Sequence, residues 1–232
     1  MVSSQWSVVR RTGDRGEMRE GTMHNGLNTS QTNNNLDICA EYSEFRIPNS
    51  EFADVVRIEV PFSDDVIEDL RAGDHLLLSG VIYTGRDAAH KRMIALLDEN
   101  KPLPFDVHGQ AIYYTGPCPA PPGRVIGSAG PTTSGRMDAY APHLIEQGLR
   151  VMIGKGSRNE TVVDAIIKHK GLYLSAIGGA GALMALCIEQ TEIIAFEDLG
   201  PEAIYKLVVR EMPLVVAIDC RGGSIYGLGN RE

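Results

Sequence analysis

Between residues 123 and 190 the chain alternates in a way that leaves few folds open. Three short apolar runs, GRVIGSAG, LRVMIGKG and LYLSAIGG, are each followed by a segment of helical spacing. These segments are SGRMDAYAPHLIEQG, ending at Gly148, then NETVVDAIIKHKG, opened by Asn159 and closed by Gly171, and then AGALMALCIEQ. Strand then helix, repeated, predicts an α/β domain with a partly parallel core, because parallel neighbours must be joined by a crossover. The chain then changes habit. TEIIAFEDLG, YKLVVREM and PLVVAIDC read as strands with no helix between them, which predicts a mixed sheet or a second β layer.

Upstream, VVRIEV alternates and is β-branched, so it reads as a strand. SDDVIEDLRAGD reads as a helix with Ser63 as N-cap. HLLLSGVIYTG is an apolar strand. RDAAHKRMIALLDEN is a helix with Ala89, Met93, Leu96 and Leu97 on one face. QAIYYTG is a short strand, and PCPAPPG a proline-rich rigid connector. The first 45 residues differ. GTMHNGLNTSQTNNNLD has no hydrophobic period, so residues 1–45 are expected to be a flexible extension and 46–232 the folded domain.

Composition excludes some functions. The formal net charge is −8 and no Lys/Arg cluster is present, which makes the chain a poor nucleic-acid binder. No apolar run approaches the roughly 18 residues that cross a bilayer. MVSSQWSVVRRTGDRGEMRE lacks the apolar stretch of a secretory signal. Cys39, Cys118, Cys187 and Cys220 form no C-x-x-C pair, and their spacing suggests neither a zinc site nor a disulfide framework. A reducing, cytoplasmic setting is expected.

In open α/β sheets ligands gather at the carboxyl ends of strands, beside helix N-termini. Four turns fit that place: YTGRDAAH with Arg86, GPTTSGRM, IGKGSRNE with Lys155, and AIGGAGA with Gly178, Gly179 and Gly181. In the second, Thr132 and Thr133 offer hydroxyls, and Arg136 follows at about one helical turn. Together with a helix N-terminus they form a cradle for a carboxylate or phosphate. The same residues also read as a helix capped by Thr133 or Ser134 with a solvated Arg136, and the turn alone does not choose. The glycines near Gly179 lack G-x-G-x-x-G spacing and read as tight helix–sheet packing. His90 reads as a surface or packing residue, and Asp219 as the cap of a turn. The co-occurrence of two arginines, a lysine and two threonines suits a small dianion. GK[ST] and an acidic magnesium cluster are both missing from it.

Five segments in series, YTGRDAAHKR, GSAGPTTSGRMD, MIGKG, YLSAIGGAGAL and AFEDLGPEAIYKLVV, resemble the class I iron–sulfur-dependent fumarases. The likeness is to the C-terminal or β-subunit part of the fumarate hydratase/L(+)-tartrate dehydratase family, over about residues 46–226. It implies a three-layer β/β/α swivelling domain with a mixed sheet. It implies a hydro-lyase that adds water reversibly across fumarate to give (S)-malate, a step of the tricarboxylic acid cycle. It implies a 4Fe–4S cluster held by cysteines of a partner alpha subunit rather than by this chain, in a heterotetramer. Carried over by motif, Arg86, Thr133, Arg136 and Lys155 hold the substrate carboxylates, and Thr132 is the candidate proton acceptor. L(+)-tartrate dehydration is the alternative within the family. A non-catalytic dicarboxylate-binding module is the alternative outside it.

Overall fold

The computed structural model describes residues 55–227. The expected extension, its boundary at 45 and Cys39 lie outside the described residues. β1 (Val56–Glu59) and β2 (His75–Thr84) flank the short helix α1 (Asp64–Asp69). The Ser63 hydroxyl accepts from Val66 N and starts that helix, as expected of an N-cap. There follow α2 (Asp87–Asp98), β3 (Ala111–Tyr113), a 3₁₀ turn (Ser134–Met137), α3 (Ala141–Glu146), β4 (Val151–Gly154) and α4 (Glu160–Lys168). The chain continues with β5 (Leu172–Ser175), α5 (Gly181–Leu186), β6 (Ile188–Ala195), a second 3₁₀ segment (Glu197–Glu202) and β7 (Ile204–Ile218). No described helix is long and apolar enough to cross a membrane.

The seven strands form one mixed sheet in the order β1-β2-β3-β4-β5-β7-β6, with a further pairing of β2 to β7. β1 through β5 are mutually parallel, and β7 runs antiparallel to β2, β5 and β6. The β2–β7 ladder therefore closes a circuit through β3, β4 and β5. Alternation along these strands sends side chains into two cores. One takes Leu76, Leu78 and Ile82 of β2, Tyr113, Val151, Ile153, Leu172 and Leu174, and Leu207, Val209, Met212, Leu214 and Val216 of β7. The other takes the opposite faces, Ile112, Met152 and Tyr173, and packs them against Met93 of α2, Leu144 of α3 and Ile166 of α4. β3 and β4 are buried on both faces, which is why their segments read as unbroken apolar runs.

Four elements depart from the sequence expectation. GRVIGSAG is not a strand. β3 pairs directly with β4, Ala111 opposite Val151, so the sheet has no slot between them. The segment folds back on the prolines instead, with Cys118 N donating to Ser128 O at 2.9 Å. The helix expected over SGRMDAYAPHLIEQG splits into the 3₁₀ turn and α3, because Pro142 is tolerated only in a helix's first turn. AGALMALCIEQ is helical only to Leu186, and its last residues begin β6. YKLVVREM and PLVVAIDC form one strand, β7, passing through Pro213. Residues 212–214 pair with β2 alone, which leaves an open side for the N–H that proline lacks. At the end of α4 the residue with positive φ is Lys170, and Gly171 follows it.

Candidate active site

Because β2 to β5 are parallel, all four expected turns emerge at the same edge of the sheet. Ion pairs and main-chain bonds link them one to the next. Arg86 is the N-cap of α2, and Asp87 its first residue. Arg86 Nη2 lies 3.2 Å from Glu202 Oε1 and 3.9 Å from Asp87 Oδ2. Arg136, on the 3₁₀ turn after β3, brings Nη2 to 2.9 Å from the same Asp87 oxygen. The two arginines therefore meet around one carboxylate. The second oxygen of Glu202 accepts from Ala88 N at 3.1 Å, which ties the segment before β7 to the start of α2.

The threonine turn joins the lysine turn through the main chain. Thr133 and Lys155 form a parallel bridge: Ser134 N donates to Lys155 O at 2.9 Å, and Lys155 N to Thr132 O at 3.3 Å. Both the amide and the hydroxyl of Thr132 donate to Tyr114 O at 2.8 Å. With its proton so placed, the Thr132 oxygen keeps lone pairs free to accept. Thr133 is exposed and makes no capping bond. Ser134 is buried and accepts from Tyr173 Oη at 2.9 Å. The helix-cap reading of this turn is thus not what its hydroxyls do. Lys155 Cδ stands 3.7 Å from where a β-carbon on Gly178 would lie, so the fourth turn adjoins the lysine. Gly181 is a packing glycine. Ala129 N donates to its carbonyl, and a β-carbon there would press on Gly130.

His90 and Asp219 do not belong to this edge chemistry. His90 is fully buried, and its Nδ1 lies 2.9 Å from Arg86 O. Burial, reinforced by the nearby Arg158 cation, pushes its pKa down to about 4, so it is a neutral packing group. Asp219 follows β7 and accepts from Ala72 N, Arg221 N and Gly223 N, capping a turn at the far end of the sheet.

Sequence reasoning missed a buried layer beneath the turns. Arg158 Nε donates to Asp138 Oδ1 at 2.6 Å, and Asn159 N donates to the other Asp138 oxygen at 2.7 Å. The guanidinium lies over the rings of Tyr114 and Tyr173, with centroids at 5.4 and 5.0 Å. Tyr173 Oη also lies 2.7 Å from Gly156 O. Burial pushes both phenols well above the usual tyrosine value. This layer binds the Thr132–Arg136 turn to the Lys155–Asn159 turn. Its sequence signal was faint: an arginine just ahead of a helix N-cap, SRNE, and an acid just after GRM. Asp87 and Glu202 were missed too, since an acid in a helix's first turn or a loop usually needs no further reason.

Among the described residues, no group of three or more His, Cys, Asp or Glu side chains could hold a metal ion. Cys118 is exposed, Cys187 half-buried and Cys220 buried, each as a free thiol. This donor set does not fit an iron–sulfur cluster.

Residues 25–229 match the family described as Fumarase C-terminus. The chain belongs to that family. Among its relatives is the anaerobic class I fumarate hydratase of Escherichia coli, 42% identical over 153 residues, which are 65% of this chain and 28% of that protein. A protein of Methanocaldococcus jannaschii, provisionally named L(+)-tartrate dehydratase subunit beta, is 36% identical over 172 residues, 72% of this chain and 88% of its own length. A Geobacillus stearothermophilus protein provisionally named class I fumarate hydratase is 37% identical over 177 residues, 74% of this chain and 34% of its own. The matched region thus spans under a third of the E. coli family member but nearly all of the M. jannaschii one.

Proposed function

We propose that this chain is the beta subunit of a hydro-lyase that interconverts fumarate and (S)-malate together with an alpha subunit. The observation that carries the reading is the convergence of Arg86, Arg136, Lys155, Thr132 and Thr133 on one sheet edge. Three cations and two hydroxyls gathered there suit a substrate with two carboxylates. Each guanidinium can present a fork to a carboxylate, and Lys155 a point charge. Loss of a proton beside a carboxylate gathers negative charge on that group, and Arg86 or Arg136 stabilises it as it forms. As an alkoxide, its hydroxyl proton given up to a neighbour from the partner subunit, Thr132 takes the proton that leaves the carbon next to the hydroxyl-bearing one. A threonine needs help to act as a base, and the partner subunit supplies the remaining neighbours.

The 4Fe–4S cluster of this reading belongs to the alpha subunit. Ile177, on the fourth turn, and Leu183 and Leu186, on α5, are about half exposed, as apolar residues that a second subunit covers would be. The domain is read as the family's three-layer β/β/α swivelling unit, in a cytoplasmic heterotetramer. The near-complete overlap with the M. jannaschii protein supports a second reading, the beta subunit of an L(+)-tartrate dehydratase.

The test is anaerobic assay of the chain with a cysteine-bearing alpha subunit and reconstituted cluster. Loss of fumarate absorbance by the pair, and by neither chain alone, is the expected result. A pair with intact cluster that dehydrates tartrate and leaves fumarate untouched selects the second reading. Dicarboxylate binding by this chain alone, with no turnover by the pair, would make it a binding module.

A further inference from the structure

We propose that Asp87 is a positioning residue that holds Arg136 in place for the substrate carboxylate; this rests on the dicarboxylate reading of the site. Asp87 opens α2, where an acid ordinarily serves the helix dipole. Here its carboxylate does something more specific. Oδ2 lies 2.9 Å from Arg136 Nη2 and 3.9 Å from Arg86 Nη2, at 27% side-chain exposure. The approach of Arg136 is an ion pair without full hydrogen-bond alignment.

The two arginines depend on it unequally. Arg86 is 21% exposed and is gripped by Glu202. Gly116 lies against it: a β-carbon there would stand 2.9 Å from Arg86 Nη1 and 3.0 Å from Pro201 O. Arg136 is 54% exposed on a 3₁₀ turn of four residues, and its ion pair is with Asp87. A long, rotamer-rich side chain in that position presents its fork in one direction only if something fixes the other side of the guanidinium.

Charge and position predict opposite signs. Arg86 faces both Asp87 and Glu202, and Arg136 faces Asp87. Neutralising Asp87 raises the local positive potential, which by Coulomb attraction alone strengthens binding of a dianion. Releasing Arg136 weakens it. A dipole partner and nothing more would change stability and leave substrate affinity alone.

The experiment uses Asp87→Asn and Asp87→Glu in the full chain assembled with the alpha subunit. Glutamate keeps the charge and moves the carboxylate by one methylene, so it also serves if the asparagine variant fails to fold. The expected result is a KM for dicarboxylate raised about tenfold in both variants, with kcat changed less. In an Arg136→Ala background, Asp87→Asn should add little further loss, because the pair acts as a unit. In the full chain alone, labelled at arginine nitrogens, the Arg136 Nε–H signal should be restricted in the wild type and averaged in Asp87→Asn. An unchanged or lower KM with an unchanged Arg136 signal overturns the proposal. A wild-type pair inactive on every dicarboxylate overturns the dicarboxylate reading instead, and the guanidinium signal alone then decides whether Asp87 holds Arg136.

Discussion

Two arginine–aspartate pairs meet at one turn, which supplies Arg136 to one and Asp138 to the other, and they are built for different work. Arg136 and Asp87 meet on the rim, with the guanidinium about half in water. Arg158 and Asp138 meet beneath it, with the Arg158 side chain wholly buried, held by a 2.6 Å bond and flanked by two tyrosine rings. The rim pair can take a ligand carboxylate on the open side of its guanidinium at small cost, since that side is already hydrated. The buried pair cannot open without stranding a charge in a dry interior. The same two residue types therefore give a ligand-facing group and a fixed clamp, and burial decides which.

The largest expected effect breaks the clamp. Arg158→Met leaves Asp138 buried without its cation and should lower unfolding stability by about 3–5 kcal/mol in urea titration. A small shift would mean that the buried layer is not what joins the two turns. Next comes the rim. Arg136→Lys should cost roughly 10²-fold in kcat/KM of the assembled pair, because an ammonium cannot replace a fork, and should shift stability by less than about 0.5 kcal/mol. Near-normal turnover would remove Arg136 from the site.

A smaller effect concerns His90, which stands between the regions. Its pKa falls from 6.5 to about 4 on folding, so below pH 6.5 the unfolded chain binds a proton that the native chain refuses. Stability should therefore fall as pH drops from about 6.5 towards 4, with a slope of at most about 1.4 kcal/mol per unit from this group. Chemical denaturation at pH 7 and pH 5 checks it, and His90→Gln should flatten that part of the profile. The smallest effect is at the surface. Arg92→Ala removes an exposed pair with Asp198 and should leave both the midpoint and kcat/KM unchanged.

The sequence made the rim legible and left the clamp hidden, for a physical reason. Arg86, Thr132, Thr133, Arg136 and Lys155 lie at strand-to-helix turns, and parallel strands must deliver such turns to one edge. Local pattern therefore predicts a long-range meeting. Arg158 and Asp138 lie 20 positions apart and carry no periodic signal; their pairing depends on how a 3₁₀ turn packs against the start of α4. The strand errors have a similar origin. VI in GRVIGSAG is as apolar as a strand needs, but whether it becomes one depends on whether the sheet has an unpaired neighbour to offer. β3 and β4 had already taken each other. Pro213 looked like a break because the open side of β7 at that position is a tertiary fact.

The most direct test of the account is an anaerobic structure of the assembled pair with (S)-malate bound. A substrate carboxylate is expected within about 3 Å of the Arg136 and Arg86 guanidinium groups, with Lys155 and the Thr132 oxygen facing the same molecule. Malate held wholly by the alpha subunit, with the Asp87–Arg136 rim left in water, would contradict it.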